Sequence, residues 1–487
     1  MELGSVVEFL ENKSILVTGA TGLLAKVLVE KILRAQPNVS KLYLLVRAAD
    51  AESAALRFQN EVLGKDLFRI IKEKWSTDDF NSFILEKVIL IPGDITYEDL
   101  GLKDFNLKQK MMNELDIIVN SAATTNFNER YDVALGINTL GAMHVVNFAK
   151  KCVKLKDLVH VSTAYVVGER SGLVLENSYQ MGETLNGQSG LNIDTEKNRV
   201  EQEMNKLKAE RASEKEITIA MKYLATERAK MYGWPNTYVF TKAMGEMLLQ
   251  QLKENLSVVI IRPTIISSTY KEPFSGWMEG LKTMDLVLAL QAQGKLSYLV
   301  GNSNVVLDAI PADMVVNAML VAMVAHAKQP SDDHVNIYQV GSSLRNPVKG
   351  VDILDYSYDY FTKKPWINNN GKLAKVCKVT LLNNMDSFHR HMATQSLSPF
   401  KGKGVDSDLS RNANFLTTIV RFYQTYLLFN PIFDDKNTEK LRIAARDNGV
   451  ETDMFYFDPN LIEWKDYFMN IHFPGLVKAS QSCGHHI

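Results

Sequence analysis

Residues 14–35, SILVTGATGLLAKVLVEKILRA, set an apolar run, a glycine-rich turn and a helix-period apolar pattern end to end. That order admits few folds. Ile15–Val17 reads as a buried strand, and apolar positions recur through Leu33 with the period of a helix packed on one face. Gly19 and Gly22 let the chain turn sharply and bring backbone N–H groups close to a pyrophosphate. Ala25 keeps the third position small where the helix must approach the strand. The spacing, Gly-x-x-Gly-x-x-Ala, makes Thr18, Gly19, Thr21, Gly22, Leu23 and Ala25 the candidate dinucleotide cradle.

The next strand-like run, KLYLLVRAAD (41–50), sharpens the choice of dinucleotide. A site for NAD usually ends this strand in an acidic residue, which binds the ribose 2′-hydroxyl. Here Arg47 stands there and suits a 2′-phosphate, so NADPH is the expected cofactor. Three more strand-like runs follow at βα spacing: KVILIPGDIT (87–96), LDIIVNSAAT (115–124) and LKDLVHVSTAYVVG (155–168). Asp94, with Ile95 beside it, is placed to meet the adenine, and the small segment 121–123, centred on Ala122, to run alongside the cofactor. Strands alternating with helices predict an α/β fold, a Rossmann-type doubly wound parallel sheet.

Composition narrows the function classes. The 487 residues exceed one ordinary core and predict a large domain with a smaller one. Lys+Arg 55 against Asp+Glu 56 leaves a net charge of −1, so no basic field points to nucleic acid. Three cysteines far apart, Cys152, Cys377 and Cys483, fit a reducing compartment. The first residues match neither a signal nor a transit peptide. No apolar run of about 18 or more residues suggests a spanning helix. FLTTIVRFYQTYLLFNPIF (415–433) is the nearest approach, and reads as a core helix or as an element lying in a membrane interface.

NTYVFTKAMGE (236–246) places Tyr238 and Lys242 one helical turn apart, in an order downstream of HVSTAYVVG (160–168) with its Ser162 and Thr163. Alone, such a pair is ordinary helix packing. After a dinucleotide turn it is a reductive centre: hydride delivered to a carbonyl leaves an alkoxide that needs a proton. Tyrosine, with a pKa of about 10, exchanges protons poorly near neutrality. A neighbouring lysine cation favours phenolate, and can also bind the nicotinamide ribose. Thr163 would hold the carbonyl oxygen. The expected catalytic residues are Thr163, Tyr238 and Lys242, the last two also touching cofactor.

This set and its order resemble the extended short-chain dehydrogenase/reductase superfamily. Asn138, in GINTLGAMHVV, matches its asparagine after the fourth strand, and is expected at the cofactor. LDAIPADMVVNAM (307–319) matches a later segment, with Pro311 and Asp313 near the site's far edge. Three further stretches, YGWPNTYVFTKAMGE (232–246), VVIIRPTIISSTYKEPFSGWMEG (258–280) and FDPNLIEWKDYFMNIHFPGLVK (457–478), resemble the alcohol-forming fatty acyl-CoA reductases, especially the plant branch. The resemblance runs from about Lys13 to about Lys478 and departs from the family at Leu23, often phenylalanine, and Asn120, often histidine. It implies reduction of a fatty acyl-CoA to a primary alcohol through a bound aldehyde, with two NADPH consumed, for wax, cutin or suberin-type lipids. No enzyme thiol is required, and the three cysteines are expected to be structural.

The resemblance also frames the domains: a reductase domain over 1–393, a polar joint over 394–411, and a small helical C-terminal domain over 412–487. The last could cover an acyl tunnel, touch a membrane or mediate assembly. Between Thr163 and Tyr238 lie 74 residues with a charged helical insertion near 192–232. It reads as a solvated face, or as a lid whose lysines meet CoA phosphates. The tail SCGHHI holds Cys483, His485 and His486, which suggest disorder rather than a metal site; no metal is expected. The expected location is peripheral, on the cytosolic face of the endoplasmic reticulum, or else the cytosol. Two rival readings stand beside the reductase: another extended-family reductase or epimerase, and a nucleotide-binding sensor without chemistry. Oligomeric state and acyl chain length are not written in single residues.

Overall fold

A central parallel strand must be apolar on both faces, because helices cover both. β1 (Ser14–Thr18) meets that condition and is buried along its whole length. The computed structural model describes residues 3–327, 334–368, 371–396 and 406–482. β1 sits in a seven-stranded sheet with β2 (Lys41–Val46), β3 (Val88–Pro92), β4 (Ile117–Asn120), β5 (Asp157–Val161), β6 (Val258–Pro263) and β7 (Asn336–Val340). Every pairing is parallel, in the order β7-β6-β5-β4-β1-β2-β3. The strand order reverses between β1 and β4. A crevice therefore opens beyond their carboxyl ends, where ligands of such sheets sit.

Side chains alternate between two cores. Ile15, Val17, Ile117, Val119 and Val159 face one; Leu16, Ile118 and Leu158 face the other. α1 (Leu23–Ala35) and the helix Ala312–His326 pack together on the first face. Helix Gly141–Ala149 lies on the second.

The charged insertion forms α2 (Ile193–Ala209) and α3 (Glu214–Met231). Asn192 caps α2 through Thr195 N (2.8 Å), and Ser213 with Glu216 forms a reciprocal box at the start of α3. Neither helix is merely solvated. Leu207, Ile217, Met221 and Ala225 are buried in one cluster with Trp234 and with Phe240 of α4 (Thr237–Leu252). Inside that cluster Glu196 is fully buried. It accepts hydrogen bonds from Arg228 Nε (2.9 Å) and from the Tyr131 hydroxyl (2.7 Å), which pins the insertion to the reductase core.

The C-terminal region begins with α5 (Asp406–Leu428), whose buried positions Ile419 and Val420 make it a core helix. The expected joint over 394–411 lies partly outside the described residues, and α5 and the helix Met385–Ser396 run into it from either side. Cys483, His485 and His486 also lie outside them. After α5 the strand Pro431–Phe433 pairs with Gly172–Val174 of the reductase part. Leu441, Phe455, Phe468 and Phe473 enter the same core as Ile15 and Val17. Among the described residues no helix is long and apolar enough to cross a membrane, and no cluster of ligating side chains could hold a metal.

Arg228→Met keeps the bulk and strands the Glu196 carboxylate without its buried partner. Loss of one member of such a pair costs about 3–5 kcal/mol. Urea unfolding should show that loss, and an unchanged midpoint would mean the pair does not anchor the insertion.

Candidate active site

Two residues fix where α4 begins. The Trp234 ring is buried with Nε1 donating to Val166 O (2.8 Å), and Asn236 caps the helix by accepting Val239 N–H (3.1 Å). The first turn of α4 therefore carries Tyr238 and the second Lys242. Tyr238 is on the wall of a large cavity, whereas Lys242 is almost fully buried. Its side-chain nitrogen donates to Val161 O (2.7 Å) and meets His160 Nε2 (3.0 Å), both on β5. Burial lowers the Lys242 pKa to about 8, with Glu246 opposing the shift. Glu246 is itself bound by Arg262 Nε (3.0 Å), and both charges are buried.

Thr163 stands where β5 ends. Its hydroxyl accepts Tyr165 N–H (3.3 Å) and lies on the same cavity wall as the Tyr238 phenol. Burial pushes the Tyr238 pKa up to about 12, with the neighbouring Thr163 hydroxyl opposing the shift. This differs from the expectation that lysine lowers the phenol pKa. The reason is geometric: Lys242 Nζ is directed at the end of β5. Tyr238 here is a protonated phenol, a proton donor. Ser162 also lines the cavity, and its buried Oγ has no hydrogen-bond partner among the described residues. Such an orphan is what a ligand oxygen would satisfy.

The expected cradle surrounds the end of β1. Gly19 has φ +70°, and a Cβ there would lie 2.7 Å from both Cα and N of Ala122. Only glycine permits both the left-handed backbone and that approach. Thr18 is buried, and its Oγ1 accepts Ala122 N–H (3.2 Å). Gly22 is the N-cap of α1, Thr21 and Leu23 are half-buried beside it, and Ala25 is buried where α1 meets the sheet. A cap without a side chain leaves the first N–H groups of α1 available to a phosphate. Asn138 joins this centre from behind. It accepts Thr124 N–H (3.0 Å), and its amide donates to Thr124 O (3.1 Å) and to Thr241 Oγ1 on α4 (3.0 Å).

Arg47 and Asp94 lie further out. Arg47 is exposed just past β2, and Arg57 Nη1 donates to its backbone carbonyl (2.6 Å) while Arg57 Nε and Nη2 are held by the Glu61 carboxylate (2.8 and 2.9 Å). The Asp94 carboxylate accepts Thr96 N–H (2.9 Å), and buried Ile95 presents its carbonyl to His144 Nδ1 (2.9 Å). Asp313 is engaged elsewhere, accepting the backbone N–H groups of Tyr270 (2.8 Å), Lys271 (2.9 Å) and Glu272 (3.0 Å). The cradle, the unpaired Ser162 hydroxyl and the open end of α1 together fit a bound dinucleotide.

The cavity measures about 740 Å³. Its wall joins the cradle (Gly22, Leu23) and the reductive centre (Ser162, Thr163, Tyr238) to a largely apolar lining that includes Leu288, Leu299, Leu307 and Ile353. α5 completes it with Phe415, Ile419, Phe422, Tyr423, Tyr426 and Leu427. The insertion contributes Lys222 to the lining. Sequence reasoning missed the aromatic collar beside Tyr238, in which Phe127 stacks on Tyr238 (centroids 6.1 Å) and on Tyr426 (5.5 Å). It also missed His160, although that residue stands two positions before Ser162 at a strand end. Asp285, on the wall, meets His472 Nε2 (3.0 Å), and His472 Nδ1 meets Ser268 Oγ (3.1 Å). The order mimics a nucleophilic triad. Yet Ser268 is fully buried and bonded to Tyr467 (3.0 Å), so the set fastens the C-terminal region instead.

Neither described cysteine is on the cavity wall. Burial raises Cys152 to about 12, far from a reactive thiolate, and Cys377 Sγ donates to Gly294 O (3.3 Å).

Comparison with known proteins bears on this site. Two family models, both described as male sterility protein and the first a NAD-binding one, match residues 17–319 and 398–480. The alcohol-forming fatty acyl-CoA reductase of Simmondsia chinensis is 54% identical, over 98% of this chain and 99% of that protein. Fatty acyl-CoA reductase 1 of Arabidopsis thaliana is 50% identical, over 97% of this chain and 98% of its own. Among solved structures, the reductase domain of a nonribosomal peptide synthetase from Mycobacterium tuberculosis superposes with a TM-score of 0.59. At 19% identity, over 97% of this chain and 92% of that one, it shows the fold.

Gly19→Ala should weaken dinucleotide binding at least about tenfold, since the methyl group meets backbone rather than a side chain that can yield. Titration of cofactor fluorescence measures this, and an unaltered Kd would remove the turn from the site.

Proposed function

The chain belongs to the fatty acyl-CoA reductase family, and on that premise we propose that it reduces a long-chain or very-long-chain fatty acyl-CoA to the primary alcohol through a bound aldehyde, with NADPH as reductant. One observation carries the reading. Tyr238, Thr163 and the unpaired Ser162 hydroxyl open into a single cavity of about 740 Å³ whose remaining wall is largely apolar. A carbonyl at the hydroxyls would leave its alkyl chain against that wall.

Thr18 through Ala25 would hold the pyrophosphate, and Lys242 the nicotinamide ribose. NADPH rather than NADH is supported by the exposed Arg47 just past β2, where a 2′-phosphate would lie. Each thioester taken to alcohol would draw one hydride from each of two NADPH molecules bound in turn, the oxidised form leaving before the second binds. Everything else falls to the chain. Ser162 and Thr163 orient the thioester oxygen, and Tyr238 hydrogen-bonds the tetrahedral oxyanion. Collapse of that oxyanion expels CoA as its thiolate. The aldehyde stays at the same hydroxyls, and in the second reduction the Tyr238 phenol protonates the alkoxide. A phenol held at about 12 is a weak acid in water but is protonated and ready when an alkoxide, a far stronger base, forms beside it.

The same reading gives α5 the task of enclosing the acyl chain. An apolar substrate argues for work at a membrane surface, and we place the enzyme peripherally on the cytosolic face of the endoplasmic reticulum.

Tyr238→Phe should leave NADPH affinity within about threefold of the parent while alcohol formation falls at least about 100-fold, the usual span for loss of a general acid. Gas chromatography of products from a series of acyl-CoA substrates measures this, and retained alcohol formation would sink the assignment. Arg47→Glu should raise KM for NADPH at least about tenfold and leave KM for NADH nearly unchanged. Equal effects on both would detach Arg47 from the 2′-phosphate.

A further inference from the structure

We propose that His160 is a positioning residue for Lys242: with Asn120 and Thr18 it forms a buried row that ties the lysine to the cofactor turn and keeps its amine partnered in either protonation state. The proposal rests on the reading of Lys242 given above.

The row follows from the sheet. Thr18 on β1 is the register partner of Asn120 on β4, and Asn120 that of His160 on β5. The three side chains therefore project side by side from the carboxyl ends of adjacent strands. All three are buried. Ala122 N–H donates to Thr18 Oγ1 (3.2 Å), and the Thr18 hydroxyl to Asn120 Oδ1 (2.7 Å). The Asn120 amide nitrogen meets His160 Nδ1 (3.0 Å), and His160 Nε2 meets Lys242 Nζ (3.0 Å). One end of the row is the backbone that Gly19 approaches. The other is the lysine.

Donors and acceptors along the row are coupled. With the Thr18 hydroxyl donating to Oδ1, the Asn120 NH2 faces His160, so Nδ1 accepts and the ring proton sits on Nε2. That proton is then donated to Lys242 as a free amine, which donates in turn to Val161 O. With the Asn120 amide turned over, Nδ1–H donates to Oδ1, and Nε2 accepts from the ammonium. A neutral imidazole serves both states, and burial holds His160 neutral. Residues without two opposed ring nitrogens leave a buried atom unpaired in one state. The other charged groups about Lys242 are Glu246 on its own helix and Arg262 on β6, paired with each other, with the Tyr238 phenol one turn earlier. Reduction uses Lys242 as a cation, so activity is retained below its pKa and lost as pH rises through about 8.

The test uses the full-length enzyme with His160→Leu, His160→Gln and Asn120→Leu, assayed with NADPH and a long-chain acyl-CoA from about pH 6 to about pH 10. In His160→Leu, kcat should fall about 10- to 100-fold with NADPH Kd within about threefold, and the descending limb near pH 8 should move down by about one unit or more. His160→Gln, able to donate and accept, should recover part of kcat. Asn120→Leu should move the limb less. A folded His160→Leu enzyme with parental kcat and limb overturns the proposal. So does loss of kcat with an unmoved limb in all variants, which marks simple packing. If His160→Leu does not fold, the limb in the other two decides. An active Tyr238→Phe enzyme would instead defeat the parent reading. An inactive one, beside an unmoved limb in the His160 variants, defeats only this inference.

Discussion

The ion pair between Arg262 and Glu246 governs the placement of the two reactive groups on α4. Both side chains are about 1% exposed, so neither charge can exist there without the other. Arg262 belongs to β6 and Glu246 to α4. Their bond sets the height and rotation of the helix against the sheet, and so the stations of Tyr238 and Lys242. Asn138 and Thr139 secure the opposite side by bonding Thr241, and Gly245 permits the close packing: a Cβ there would lie 2.4 Å from Asn138 O. A helix clamped at this many points presents reactive atoms with little freedom to wander, which is how preorganised sites lower barriers.

Much of this was legible in the residues. The strand–turn–helix at 14–35 could be read because glycine has a steric reason to stand at position 19, and because a buried parallel strand is apolar throughout. Tyr238 and Lys242 were legible from helical spacing, Thr163 from its place at a strand end. The aromatic collar was not, since Phe127 and Tyr426 lie 299 positions apart and nothing local links them. His160 was hidden for another reason. A histidine in an apolar strand looks like filler until register sets it beside Asn120. The direction of the Lys242 side chain was not legible, because spacing fixes the helical face and not where a four-carbon side chain reaches.

The insertion and the C-terminal region teach the same lesson on a larger scale. Their charge and polar joints suggested accessory pieces, a solvated face and a separate lobe. Glu196 and Arg228 turn inward despite that composition, because a buried pair surrounded by Tyr131 and Tyr232 satisfies both charges. Likewise Asn317 Nδ2 donates to Tyr456 O (2.8 Å) and Thr438 Oγ1 to Gln339 O (2.8 Å), polar stitches across more than a hundred residues of chain in one case and nearly so in the other. Average composition hides such exceptions.

The place of α5 in the cavity wall bears on the order in which the molecule is made. A ribosome delivers β1, the glycine turn, Thr163 and α4 long before residue 406. The nascent chain thus has the elements of its nucleotide half while one side of the apolar chamber is still missing. Leu288, Leu299 and Leu307 stay without their α5 neighbours until the final stretch emerges. Late in synthesis the growing chain carries an unfinished greasy surface, which chaperones or the chain's own last helices must cover.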